Sequence, residues 1–155
     1  MVSRLEEKLL EKKRAVEETY SRHKDTKKEW ISRVDKLYVK ILKWLAPYKE
    51  KELLNVTKSP ILIREELLGE YEIDKVIITF PNPYDTVEIV PIGRHVIGGN
   101  GRLDIKIGLR DVMLIGKDDG AWMFAERLRD GTRVTWEFNK ETFEELLADA
   151  ADTSW

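Results

Sequence analysis

The first third of the chain repeats apolar residues at intervals of three and four. Between Val2 and Tyr48 there is no glycine and a single proline, Pro47. Such spacing places side chains on one face of an α-helix. We expect the helix to end near Ala46, because proline disfavours helical geometry in the residue before it. The stripe consists of Leu5, Leu9, Val16, Tyr20, Trp30, Val34, Leu37, Ile41 and Trp44.

Polar residues interrupt the middle of this stripe and leave two structures open. Lys12, His23 and Lys27 take positions that a continuous coiled coil fills with leucine or isoleucine. One structure is a single helix of about 45 residues, some 65 Å long at about 1.5 Å per residue. The other is an antiparallel hairpin of helices over residues 4–21 and 27–46. No turn residue separates the two parts, which favours the single helix.

From Ile61 onward the apolar period changes to two, and all nine glycines lie in this part of the chain. Alternation of apolar and polar residues is typical of β-strands with one buried face. The links between the candidate strands are too short for parallel crossovers, so the sequence predicts an antiparallel sheet. The candidate strands cover residues 61–64, 71–80, 86–90, 95–97, 103–107, 112–115, 121–128 and 132–137.

The chain is predicted to close with a short helix through Phe143 and Leu146, for which Asn139 is the expected N-cap. The sequence therefore predicts an α+β protein with a long N-terminal helix or helical hairpin, an antiparallel sheet of about six to eight strands and a short C-terminal helix. We divide it into a helical arm, residues 1–59, and a β-rich domain with the C-terminal helix, residues 60–155.

The dipeptide Asp130-Gly131 is typical of a two-residue hairpin turn. Counting back from this turn places Ala125 opposite Trp136. We then expect Trp122 and Phe124 on the outer face, where another element must cover them. The predicted core face of this hairpin carries Met123, Ala125, Val134, Trp136 and Phe138.

Charge is distributed unevenly between the two parts. Residues 1–59 hold sixteen basic and ten acidic residues, residues 60–155 hold eleven basic and nineteen acidic ones, and the whole chain has a formal net charge of −2. One interpretation is that the basic arm packs against an acidic sheet domain, its own or that of a second copy. The other is that the arm binds nucleic acid through the segment from Lys12 to Lys28, in which acidic residues are interspersed.

Composition excludes several kinds of chemistry. The chain has no cysteine, which excludes disulfides, thiolate metal sites and cysteine nucleophiles. His23 and His95 are its only histidines, too few for a histidine-rich zinc site. No serine lies in a nucleophile elbow, and we expect no cofactor. The charged start and the lack of an apolar run of about 20 residues predict a cytoplasmic protein without membrane association.

The glycine-rich stretch from Ile97 to Gly101 suggests an anion contact. Glycines let backbone amides approach an anion, and Arg94 and Arg102 flank the stretch. The same glycines suit a hairpin loop with positive φ angles, and the residues that follow have a strand pattern. We keep Arg94 and Arg102 as candidate anion-binding residues.

One carboxylate arrangement would make the protein an enzyme. Asp104-Ile105-Lys106 fits the acidic-x-Lys end of a metal-dependent nuclease site, and Asp85 offers a second carboxylate for Mg²⁺. In the competing interpretation, Asp104 and Lys106 form the outward side of a strand whose inward side is apolar.

The aromatic part of the helical stripe must meet either the sheet or another copy, because aromatic side chains bury roughly 150–250 Å² each. Our leading hypothesis is a non-enzymatic interaction or assembly module, a homo-oligomer whose helical arm mediates self-association or partner binding. Nucleic-acid binding through the arm is the first alternative, and a Mg-dependent nuclease is the second. The candidate partner-binding residues are Trp30, Leu37, Ile41, Trp44, Trp122, Phe124 and Trp155.

Overall fold

A computed structural model describes residues 2–96 and 99–152. In this part of the chain seven strands form one antiparallel meander, in which each strand pairs with the next. The α+β class and both terminal helices are confirmed. The elements are α1 (Arg4–Glu50), β1 (Asn55–Glu65), β2 (Gly69–Thr79), β3 (Thr86–Val96), β4 (Gly99–Ile107), β5 (Arg110–Gly116), β6 (Trp122–Arg127), β7 (Arg133–Glu137) and α2 (Lys140–Asp152).

Helix α1 is one continuous helix of 47 residues, so the helical hairpin is wrong. Ser3 is its N-cap, and the Ser3 hydroxyl accepts the amide of Glu6 at 3.2 Å. The polar stretch near its middle stays helical, and the Thr26 hydroxyl donates to the Arg22 carbonyl at 2.9 Å. With no glycine or proline before Pro47, nothing in the backbone stops the helix there.

The prediction that α1 ends near Ala46 is wrong, because the helix runs on to Glu50. Pro47 removes one amide donor, but its carbonyl still accepts the amide of Lys51 at 3.3 Å. Leu45 is buried in the core and Tyr48 packs against it. This packing on both sides of the proline outweighs the lost hydrogen bond. Strand β1 then begins at Asn55, before residue 60, where the sequence predicted that the β-rich domain starts.

The predicted strand 86–90 and residues 95 and 96 of the predicted strand 95–97 are parts of the single strand β3, and residue 97 lies outside the described residues. Its register with β4 shifts between Pro91 and Gly93. Proline has no amide to donate to the ladder, and an irregularity of this kind lets a strand continue past it. The alternation of apolar residues breaks at the same place, which is why the pattern predicted two strands.

The predicted register of the β6–β7 hairpin is wrong by one residue. The Leu128 amide donates to the Thr132 carbonyl at 2.8 Å, and the Gly131 amide donates to the Leu128 carbonyl at 3.0 Å. The loop thus has three residues, with Gly131 at φ +88. As a result Phe124, and not Ala125, lies opposite Trp136.

This shift changes which side of β6 faces the helices, since a slip of one residue turns every side chain to the other face. Trp122 and Phe124 belong to the helix side, whereas Met123 and Ala125 point away from it. For β7 the expectation is confirmed at Trp136, which packs against the core, but it is wrong at Val134, which is exposed because it lies near the turn, at the start of β7. Helix α1 covers Trp122 through Trp30 and Arg33, whereas the rings of Trp136 and Phe138 pack against Phe124.

The core lies between the second half of α1, helix α2 and one face of the sheet. All its largest fully buried side chains come from these three layers. Burial of this apolar surface fixes residues 30–45 of α1 on the sheet. The largest members are Trp30, Tyr38, Ile41, Leu45, Ile78, Ile89, Leu103, Ile105, Leu114, Phe124 and Phe143.

Candidate functional site

The first half of α1 extends beyond the folded body. We call residues 4–22 the free arm, because every one of them is exposed. The first buried residue of the helix is Trp30. From Arg4 to Trp30 the helix rises about 39 Å at about 1.5 Å per residue. We call residues 30–45, which are fixed on the sheet, the anchored half. Because the helix is continuous with it, the free arm does not have to form the helical nucleus that an isolated helix of this length would need.

The free arm carries an uncovered apolar stripe. Leu5 and Val16 are each 69% exposed, and Tyr20 is 73% exposed. Leu9 lies on the same side of the helix and is exposed as well, and Val2, which precedes the N-cap, is also exposed. Single exposed apolar residues are ordinary, but an aligned set of them marks an interaction surface.

The aromatic residues of the second half of α1 are used inside the molecule. Trp30 is fully buried, donates its indole N–H to the Tyr71 hydroxyl at 3.0 Å, and has its ring 6.2 Å from that of Trp122. The ring of Trp44 lies 5.4 Å from that of Phe138. These contacts join α1 to strands β2 and β6 and to the segment before α2.

The candidate partner-binding residues therefore lie mostly within the body. Trp30, Leu37, Ile41 and Phe124 are buried in the core. Trp44 and Trp122 are half-buried against it. Trp155 lies outside the described residues. The six described residues offer a partner little surface. Exposed apolar residues occur on the body as well, at separate loop and strand positions such as Leu62, Tyr84 and Leu109, whereas those of the free arm are aligned along one helix.

Two buried tyrosines bind the anchored half of α1 to the sheet. The Tyr71 hydroxyl accepts from Trp30 and donates to the Glu65 carboxylate. Burial, and then the hydrogen bond to Glu65, raise the pKa of Tyr71. The Tyr38 hydroxyl donates to the Asp74 carbonyl at 2.7 Å, and burial is the main cause that raises the pKa of Tyr38. Both phenols are therefore neutral hydrogen-bond donors at neutral pH.

The two predicted anion-binding arginines do not converge. Arg102 donates from Nε and Nη2 to both carboxylate oxygens of Asp104, at 2.8 and 2.9 Å, so its charge is compensated. Arg102 pairs with Gly93 in the ladder, so the neighbouring Arg94 points to the opposite face. The backbone amide of Arg94 donates to the Glu65 carboxylate at 2.8 Å.

Arg33 takes a structural role that the sequence analysis missed. Its Nη1 donates to the Asn100 carbonyl at 2.7 Å, and its guanidinium lies 5.0 Å from the centre of the Trp122 ring. Burial, and then the positive charge of Arg94, lower the pKa of Arg33. Its position next to Val34, at the edge of the buried stripe, is the only sequence signal for this contact. Arg33 fastens α1 to β4 and β6.

The residues of the hypothetical nuclease site are not brought together. Asp104 is only 7% exposed and is held by Arg102. Asp85 precedes β3 by one residue, and Val90 is the residue opposite Asp104, so the two carboxylates are separated by about 17 Å along the strands. Lys106 is exposed. Among the described residues, no group of three or more histidines, aspartates or glutamates is placed to hold a metal ion.

Several open grooves lie on the surface of the described residues, among them three that border the outer sheet face or the helices. One of about 620 Å³ lies on the sheet face away from the helices, beside Met123 and Arg133. One of about 400 Å³ is mostly apolar and lies between the last turn of α1 and α2. The third, of about 530 Å³, has Lys40 and Lys43 of α1 and Lys140 of α2 around its rim. The described lining of these three grooves includes neither histidine nor serine.

No family model, curated protein or solved structure matches this chain. Within the described residues, neither helix has the length and apolar content needed to cross a membrane.

Proposed function

We propose that this chain is a non-enzymatic assembly module whose free arm associates with a second helix. The observation that carries the proposal is the aligned, exposed stripe of Leu5, Leu9, Val16 and Tyr20 on a continuous helix. A helix normally buries such a stripe against another element, because apolar surface is removed from water on contact. The body of this chain covers the stripe from Trp30 onward and leaves the rest to a partner.

The charge of the free arm supports a helical partner. Residues 4–22 hold six basic and five acidic residues, so the arm is close to neutral. Most of the excess positive charge of the first 59 residues lies after the free arm, in residues 23–59. A phosphate backbone attracts a strongly basic surface, whereas mixed charges beside an apolar stripe are typical of paired helices.

The anchored half gives the arm a fixed direction. Trp30, Arg33 and Tyr38 each bond to the sheet, through Tyr71, Asn100 and Asp74 respectively. Because the helix is continuous from this anchor into the arm, the stripe projects from the body at a defined angle. Such preorganisation lowers the entropy cost of association.

Replacing the stripe by polar residues tests this proposal. The variant Leu5→Gln, Leu9→Gln, Val16→Gln removes the apolar contacts and keeps good helix formers. We expect light scattering to give the mass of a monomer for this variant and a larger mass for the unsubstituted chain.

The matched control places the same new residue on the opposite face of the arm. We expect the variant Glu7→Gln, Glu11→Gln, Glu18→Gln to associate like the unsubstituted chain. Association that survives in the stripe variant, or is lost equally in both, would contradict the proposal.

Nucleic-acid binding is a second candidate, and a different part of α1 supports it. Lys36, Lys40 and Lys43 are exposed at helical spacing on the outer side of the anchored half, and Lys140 lies beside the last two. If this row contacts phosphates, affinity for a generic duplex must fall steeply as salt is raised. Replacing the three α1 lysines by glutamine must then reduce that salt dependence. An affinity that does not change with salt concentration would exclude nucleic-acid binding through this row.

A further inference from the structure

One edge of the exposed stripe carries charges of alternating sign. Consecutive residues are about 100° apart around the helix axis. Glu6, Lys13, Glu17 and Lys24 therefore all lie on the same side of a line drawn through Leu9 parallel to that axis. Among the described residues, none of these four charged side chains forms an ion pair. The ion pair recorded within the free arm joins two other residues, Lys8 and Glu11, at 3.4 Å.

We propose that the partner of the free arm is the arm of a second copy, aligned antiparallel about a two-fold axis near Ala15. This inference rests on the proposed function. Glu6 and Lys24 are equally distant from Ala15 along the helix, and so are Lys13 and Glu17. In an antiparallel pair the same edges of the two helices meet, so Glu6 faces Lys24 and Lys13 faces Glu17. The symmetry forms each of these ion pairs twice.

A parallel alignment brings like charges together instead. Lys12 lies within the stripe, and in parallel helices it packs against Lys12 of the second copy. The flanking contacts of a parallel pair join Lys8 to Lys13, again two positive charges. The antiparallel alignment instead places Lys13 opposite Glu17 and separates the two copies of Lys12 by about 9 Å along the helices. Charge complementarity thus selects one orientation.

The length of the arm fits this alignment. With the axis near Ala15, Arg4 at the start of α1 reaches the level of residue 26 of the second copy, just before Trp30 enters the body. Leu9 then lies about level with Tyr20, and Val16 is next to the axis. The two helices overlap along nearly all of their uncovered length, and each sheet domain stays at its own end.

The size of the contact predicts a weak dimer. The apolar side chains of two arms bury roughly 60–120 Å² each, or about 1,000 Å² for ten of them, and the lysine stems add to this. That area is near the lower limit for specific interfaces, so we expect dissociation constants of about micromolar order. The apolar residues that contribute from each copy are Val2, Leu5, Leu9, Val16 and Tyr20.

Charge reversal tests the edge pairing on the full chain. The variant Glu6→Lys, Glu17→Lys makes the whole edge positive, and we expect it to weaken dimerisation at least about tenfold. Adding Lys13→Glu and Lys24→Glu exchanges all four signs and restores the pairs. We expect sedimentation equilibrium to return that fourfold variant to within about threefold of the unsubstituted chain.

The matched control adds the same charge on the opposite face. Glu11→Lys, Glu18→Lys changes the net charge as much as the edge variant, and we expect it to dimerise almost normally. Equal weakening of control and edge variant would overturn the edge pairing. So would a fourfold variant that stays weak or dimerises more tightly than the unsubstituted chain.

Crosslinking tests orientation directly, because the chain contains no cysteine. With a bismaleimide spanning about 10 Å, close to the spacing of packed helices, Val16→Cys should crosslink to its copy. Val2→Cys should not, since the two copies lie about 39 Å apart along antiparallel helices. A dimer that crosslinks at Val2, or fails to crosslink at Val16, overturns this inference and leaves the proposed function standing. A monomer at every concentration overturns both.

Discussion

At the scale of single residues, Gly101 sets how closely α1 approaches the sheet. Its backbone has φ +102, a conformation that favours glycine, and a Cβ at this position would overlap the ring of Trp30. Gly101 follows Asn100, whose carbonyl accepts from Arg33. Two of the contacts that hold the helix therefore meet at adjacent residues of β4.

We predict that Gly101→Ala lowers the free energy of unfolding by about 2–4 kcal/mol, because backbone strain and overlap with Trp30 act together. Urea denaturation measures this loss. Gly120→Ala is the control: Gly120 has φ +87, but no other atom lies within 4 Å of the added Cβ. We expect only the backbone cost there, about 1 kcal/mol. Equal losses in the two variants would contradict the close contact with Trp30.

The buried tyrosines predict a loss of stability in alkali. The folded chain raises the pKa of both Tyr38 and Tyr71 above the ordinary value of 10.0. Their contribution to the free energy of unfolding is complete below pH 10. It is lost as the pH rises above 10, because the unfolded chain then releases protons that the folded chain retains. The slope approaches about 1.4 kcal/mol per pH unit for each tyrosine.

Denaturation across the alkaline range checks this prediction. We expect the variant Tyr38→Phe, Tyr71→Phe to be less stable at pH 7, since the hydrogen bonds to Asp74 and Glu65 are gone. Its stability should also fall less between pH 10 and 12. The same alkaline slope in both proteins would show that these phenols ionise normally.

At the scale of elements, periodicity predicted which segments are helical and which are strands, but not every boundary or register. The three-residue loop that ends at Gly131 moved β6 by one residue against β7, and turned Phe124 into the core. The dipeptide before Thr132 fits both loop lengths, so the choice depends on which side of β6 α1 covers. Pro47 likewise stays helical because Leu45 and Tyr48 pack around it.

The two helix N-caps allow the stability of the free arm and that of the core to be tested separately. Ser3 caps the exposed start of α1, and the Asn139 side chain accepts the Thr142 amide at 2.9 Å at the start of α2, which packs in the core. We predict that Ser3→Ala speeds amide exchange in the first turn of α1 about fivefold and leaves the urea midpoint unchanged. Asn139→Ala should lower global stability by about 1 kcal/mol. A global loss from Ser3→Ala would show that the arm folds as part of the core.

At the scale of the whole molecule, the sequence predicted a helical stripe that must be covered, but not which half the body covers. The period is the same on both sides of the polar stretch, and only the three-dimensional path of the sheet decides where contact begins. The residues predicted for the partner surface are mostly aromatic, and large aromatic residues such as Trp30 and Phe124 are buried in the core. The aliphatic stripe around Leu9 and Val16 was left exposed.

The mass of the full chain in solution, measured by sedimentation equilibrium over a range of concentrations, tests the central claim most directly. We expect a mass near twice 18.2 kDa at high concentration that falls towards 18.2 kDa on dilution through about the micromolar range. We also expect the stripe variant Leu5→Gln, Leu9→Gln, Val16→Gln to stay at 18.2 kDa throughout. A full chain that remains at 18.2 kDa up to about 1 mM would contradict the account.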